Sequence, residues 1–191
     1  MQIDGLTFDK NGGLKLSDAF LRAVDEGRMF AVASQAGVTS QAGLSATTPV
    51  LTLPNPAGSA KRGKLWFAGA TFTVAPATVG VVWVAVGTNP VAAAVTGTLT
   101  TAHRNLLLGG PQPTIVPMLA ATLPAAPVGV AILGTNYTGA ITTVPQAPPL
   151  GRWFNGGINI RPGTNLSLQT GVASGASGMF CEYIWEEEDG S

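Results

Sequence analysis

Between Leu65 and Gly151 the chain carries a single charged side chain, Arg104, and between Met29 and Ala60 it carries none. Segments this long cannot be solvated coil, because 46% of the chain is hydrophobic. From Met29 onward they read as β structure, by alternation and by closely spaced turn signals. Its outer positions are Thr, Ser, Ala and Gly. Charged residues make up only 10% of the sequence, against about 25% in an ordinary soluble domain. Ten Lys+Arg balance ten Asp+Glu, so the basic footprint required for direct contact with nucleic acid or an acidic membrane is missing.

The 191 residues suit one domain with an appendage. Nine of the twenty charges fall in Met1–Arg28, three more cluster at Lys61, Arg62 and Lys64, and the chain closes on Glu186, Glu187, Glu188 and Asp189. This distribution predicts an N-terminal arm over 1–28, a neutral β domain over 29–187 and a short, solvated acidic tail over 188–191. The arm starts with acids and no apolar run, unlike a signal peptide. One cysteine, Cys181, excludes an internal disulfide. The apolar stretch Val79–Thr98 is interrupted by Asn89-Pro90. Proline would break a membrane helix there, so the stretch reads as a buried strand and turn.

One helix is expected, within Leu14–Gly27. Ser17 suits the N-cap, Leu16 can staple onto Leu21, and Gly27 supplies a left-handed stop. Leu16, Phe20 and Val24 recur every fourth residue with Leu21 beside them, and Arg22, Asp25 and Glu26 face away. Ten residues are too few to hold a helix alone in water, so this face must pack on the body or on a neighbour.

From Met29 the pattern has period two. Leu65–Val74 alternates, with Trp66, Phe72 and Val74 on one face; Thr78–Val86 is apolar throughout; Asn165–Val172 puts Leu166, Leu168 and Val172 inward and Ser167 and Gln169 outward; Gly178–Glu186 is rich in aromatics. Shorter strands are expected at Phe30–Gln35, Pro49–Leu53, Val91–Thr101, Thr114–Thr122, Val128–Leu133 and Ala140–Val144. Turn signals separate them, among them Asn55-Pro56, Gly156-Gly157 and Pro162-Gly163, the last suiting a type II turn over Arg161–Thr164. The fold expected is all-β, a jelly-roll or β-sandwich with a short N-terminal arm containing one helix.

Catalytic patterns fail one by one. Gly58–Lys64 imitates a phosphate loop, but Leu65 stands where Ser or Thr must bind magnesium, and a strand follows where a helix is needed. His103 is the only histidine and no acid lies between Glu26 and Glu182, so a triad would have to be assembled from distant segments. Gly171–Gly175 places Ser174 one position late for a nucleophile elbow. One His and one Cys are too few for a usual zinc site. The acidic run lacks the spacing of a calcium loop. Two sequons, at Asn136 and Asn165, would count only in a secreted eukaryotic chain. No enzyme, metal or cofactor is expected.

Phe30–Pro49, Leu65–Val74, Gly151–Phe154, Arg161–Leu166 and Gly178–Glu186 resemble segments of tailed-bacteriophage structural proteins, over roughly Met29–Glu187. In kind the chain is similar to the capsid decoration, or cement, proteins. The resemblance implies a jelly roll that sits as a homotrimer on the outer surface of the capsid and bridges copies of the major capsid protein, with no catalytic residues. Leu16, Phe20, Leu21 and Val24 of the arm, with Lys61, Arg62 and Lys64 of the basic segment, are the expected contacts to the capsid or to a neighbour. The alternative is a receptor- or sugar-binding jelly roll of a tail fibre or spike, for which Trp83, Trp153 or Trp185 would supply the aromatic surface. A secreted carbohydrate-binding module is disfavoured by the N-terminus.

Overall fold

The computed structural model describes residues 6–8, 14–16, 19–39, 42–72, 79–135, 150–173 and 178–190. The expected N-cap Ser17, the strand at Ala140–Val144, the sequon at Asn136 and Ser174 lie outside the described residues.

A small hairpin, β1 (Leu6–Phe8) and β2 (Leu14–Leu16), precedes helix α1 (Ala19–Asp25). Then follow β3 (Met29–Ala33), β4 (Leu51–Asn55), β5 (Lys61–Phe72), β6 (Val81–Thr88), a 3-10 turn at Val91–Ala93, β7 (Thr96–Leu99), β8 (Arg104–Asn105) and β9 (Met118–Thr122). β10 (Val128–Thr135), β11 (Leu150–Ile160), β12 (Thr164–Thr170) and β13 (Met179–Asp189) complete the chain. Two antiparallel sheets face each other, one in the order β10-β6-β12-β4-β9-β7 and the other β11-β5-β13-β3-β8.

This order is that of a jelly roll. The nested pairs β3/β13, β4/β12, β5/β11 and β6/β10 are all antiparallel, as when one long hairpin is rolled up. The roll brings β5 beside β13 and β6 beside β12, giving two interleaved four-stranded halves. The connection from β6 to β10 carries the extra strands: β9 extends the first sheet beyond β4 and holds β7, and β8 extends the second beyond β3.

The core is the interface between the sheets. β13 contributes Met179, Cys181, Tyr183 and Trp185 from alternate positions, facing Leu51, Leu53, Leu166, Leu168, Val82 and Val84 of the opposite sheet. Each such aliphatic side chain contributes about 1.5–3 kcal/mol by leaving water. Tyr183 spends its hydroxyl on the Leu51 carbonyl at 3.2 Å, so its burial strands no donor. Burial drives the Tyr183 phenol and the Cys181 thiol well above their ordinary pKa values.

The all-β expectation holds, and several local readings change. Leu14–Leu16 is strand, so Leu16 is not on the helix, which runs only from Ala19 to Asp25. Its end is as expected: Gly27 sits at φ +69°, with Gly27 N–H on Val24 O and Arg28 N–H on Ala23 O, both at 2.9 Å, the Schellman arrangement. Leu21 points outward at 59% exposure, and Ala23, fully buried, takes the inward position. Ser167 and Gln169 are buried despite facing away from the core. The segment at Ser45 covers them, its N–H and carbonyl both bonded to the Gln169 amide.

In β5 the alternation breaks at a bulge. Ile184 pairs with Phe67 but Trp185 pairs with Leu65, leaving Trp66 as the extra residue. Leu65 and Ala68 therefore both face the core, and Trp66 joins Phe67 on the outer side. The Gly156-Gly157 signal is likewise a bulge inside β11 instead of a turn. The Arg161–Thr164 turn is present, closed by Thr164 N–H on Arg161 O at 3.1 Å.

Candidate functional site

The acids at the end of the chain do not form a solvated tail; they are the last rungs of β13. Glu186, Glu187, Glu188 and Asp189 lie opposite Lys64, Gly63, Arg62 and Lys61. Alternation sends Glu186 and Glu188 to the outer face beside the basic side chains of β5. Glu188 receives Lys64 Nζ at 2.6 Å and Arg62 Nη2 at 2.8 Å, and Asp189 receives Lys61 Nζ at 2.6 Å. Arg28, arriving from α1, is bound to Glu186, to Glu26 at 2.6 Å and to Glu188 at 3.6 Å. Burial raises the Glu188 pKa, but the hydrogen bonds and charges of Lys64 and Arg62 outweigh it and hold the carboxyl below its usual range. Asp189 is lowered by its bond to Lys61 and by that residue's charge. Lys61, Arg62 and Lys64, expected to meet a neighbour, thus find acids within their own chain.

Glu187 faces the other way and is 5% exposed. Its Oε1 accepts Ile115 N–H at 2.8 Å and Trp185 Nε1 at 3.2 Å, and its Oε2 accepts Thr114 N–H at 2.9 Å. It ties the segment before β9 to the end of the core.

Next to this clasp, α1 packs on its own body. The Phe20 ring meets Trp66 edge-on at 5.4 Å between centroids and Trp153 at 6.1 Å, and Phe67 lies 5.1 Å from Trp153. Trp66 turns its Nε1 to Glu186 Oε2 at 3.1 Å, joining the aromatic nest to the clasp. Of the expected arm contacts, Phe20 is therefore engaged internally, Val24 is half-buried and Leu21 is open to solvent. Leu16 lies in β2, and its side chain is outside the described residues.

Large apolar side chains are exposed at several places, Leu108 and Val91 most of all, and three of them line one strand at the rim. Among the described residues β10 ends its sheet, and Val128, Val130 and Ile132 stand 65%, 50% and 58% exposed along one side of it. No charged residue occurs in the strand. Edge strands normally carry charge, proline, a bulge or a cover that hinders pairing with another chain; β10 has only the bulges, at Val130 and Leu133. β11, the corresponding edge of the second sheet, adds the half-exposed Trp153. Sequence reasoning found the strand at Val128–Leu133 but not its exposure. The signal was available, since small residues Gly129 and Ala131 alternate with the large ones.

A cavity of about 440 Å³ opens near the β6–β12 end, lined by Val86, Val128, Ile160, Leu166 and neutral polar groups including Asn165. Asn165 is 1% exposed and donates to Thr88 O at 2.7 Å, which closes the second sequon to any modifying enzyme in the folded chain. His103 bonds through Nδ1 to the Thr100 carbonyl at 2.8 Å. Of the three tryptophans weighed for a sugar surface, Trp185 is buried, Trp83 is half-buried and Trp153 is exposed. Among the described residues no group of three or more His, Cys, Asp or Glu could hold a metal ion, and no helix is long and apolar enough to cross a membrane. No family model matches the chain, and neither a characterised protein nor a solved structure gives a match.

Proposed function

We propose that this chain is a structural virion protein of the capsid-decoration kind, binding the outside of a phage shell as a homotrimer and reinforcing contacts between copies of the major capsid protein. The observation that carries the proposal is the pairing of charge and exposure. The clasp at the end of β13 engages Arg28, Lys61, Arg62 and Lys64 internally, while the Val128–Val130–Ile132 strand is neutral and exposed. Such a surface packs against another protein without stripping water from charges, which suits an assembly stabilised by repeated modest interfaces. The resemblance of the body to tailed-phage structural proteins points the same way. On this account β10 and the outward side of α1 around Leu21 are the contact surfaces, and the basic residues serve to close the jelly roll.

Quantitative mass spectrometry of purified virions tests the reading. A decoration protein is present in hundreds of copies per particle and maps to the head. A tail protein is present in far fewer. The second reading, a sugar- or receptor-binding jelly roll of a tail fibre, is favoured by the exposure of Trp153, and a low copy number at the tail would replace the first reading with it.

A further inference from the structure

We infer that Asn155 is a site of spontaneous covalent modification, cyclising onto the Gly156 backbone nitrogen and opening to aspartate or isoaspartate. The inference stands on the bulge in β11 and is independent of the assembly reading. β11 pairs with β5 at Trp153↔Phe67 and resumes only at Ile158↔Leu65, so residues 154–157 lie outside the ladder. Within the gap Asn155 sits at φ +51° and Gly156 at φ +78°. Asn155 is exposed, and Gly156, without a Cβ, neither shields its own nitrogen nor resists the rotation that brings it to the carboxamide.

The step balances with solvent alone. The Gly156 nitrogen loses its proton and attacks Asn155 Cγ, the new N–Cγ bond forms, and the Cγ–Nδ2 bond breaks as ammonia leaves. Water then adds to either carbonyl of the succinimide ring. One opening gives aspartate and the other passes the main chain through the former side chain.

Among the described residues the other asparagines lack this combination. Asn55 and Asn89 precede Pro56 and Pro90, which have no N–H to attack with. Asn105 and Asn165 are buried, with their amides bonded to Gly27 O and Pro111 O and to Thr88 O respectively. Asn159 is exposed but paired with Lys64 in the ladder, and Ile160 follows it. Gly156 itself lies against Lys64, whose Cδ is 3.7 Å from where a Cβ on it would be.

The test is timed incubation of the folded full chain in mildly alkaline buffer, followed by peptide mapping with fragmentation. Asn155 should convert with first-order kinetics, several-fold faster than Asn159, at a rate that rises with pH. The variant N155Q should remove that product alone. The other Asn-Gly pair, Asn11-Gly12, lies outside the described residues and is resolved separately in the same map. Conversion at 155 no faster than at Asn159, or a rate independent of pH, overturns the inference.

Discussion

Replacing Glu187 with alanine should be among the most damaging single changes at the end of the core, although the residue belongs to a run of four acids that borders the expected tail. Its carboxylate serves three donors. Thr114 is exposed, so its N–H can turn to water, but Ile115 and Trp185 are fully buried and their N–H groups would lose their acceptor. An unsatisfied buried donor costs about 1–3 kcal/mol, so the two together predict a loss of about 2–6 kcal/mol. For a chain of this size each kcal/mol lowers Tm by roughly 2–4 °C, giving a shift of about 10 °C. Glutamine separates geometry from charge. Both buried bonds end on Oε1, so the amide oxygen can keep them while only the Thr114 bond is lost, at about 1–2 kcal/mol. Urea unfolding followed by circular dichroism measures both variants. If Glu187→Ala falls within about 1 kcal/mol of the parent, a cost below even one orphaned donor, or if Glu187→Gln is as damaging as Glu187→Ala, the reasoning is wrong.

Further outcomes follow from the same contacts. Phe20→Ala should release α1 from the Trp66–Trp153 slot, costing about 1–3 kcal/mol because the ring is only half-buried; hydrogen exchange should speed up in 19–25 while the β13 core stays protected, and loss of core protection would contradict local docking. Glu188 has a folded pKa below its unfolded value, so its contribution is complete above about pH 4.3 and is lost as pH falls through the folded pKa. Glu188→Gln should therefore flatten the acid side of the stability–pH curve, and an unchanged curve would remove Glu188 from the clasp. Cys181, 3% exposed with its thiol pushed up by burial, should resist thiol reagents until the chain is unfolded; rapid labelling of the native protein would contradict the packing of β13.

The parts of the fold legible in the sequence were those governed by period and by turn chemistry. β12 and β13 announce themselves by alternation, Gly27 by its position after an amphipathic run, and Arg161–Thr164 by Pro-Gly. The bulges were not legible. Trp66 and Asn155 each interrupt a ladder whose partner strand is far away in the chain, and no local pattern encodes the mismatch. The clasp was half legible: both charge clusters stood out, but that they neutralise each other depends on β5 lying beside β13, which only the roll decides. The exposed strand was also half legible: Gly129 and Ala131 alternating with Val128, Val130 and Ile132 mark two faces, but that the face with the large residues meets water depends on how the roll closes.

The native mass of the purified full chain tests the central claim most directly. Sedimentation of the protein across a wide concentration range should give a species of three times the 19.4 kDa chain, which Val130→Lys combined with Ile132→Lys converts to a folded monomer. A single 19.4 kDa species at every concentration up to the millimolar range, or a trimer indifferent to lysines on β10, would contradict the account.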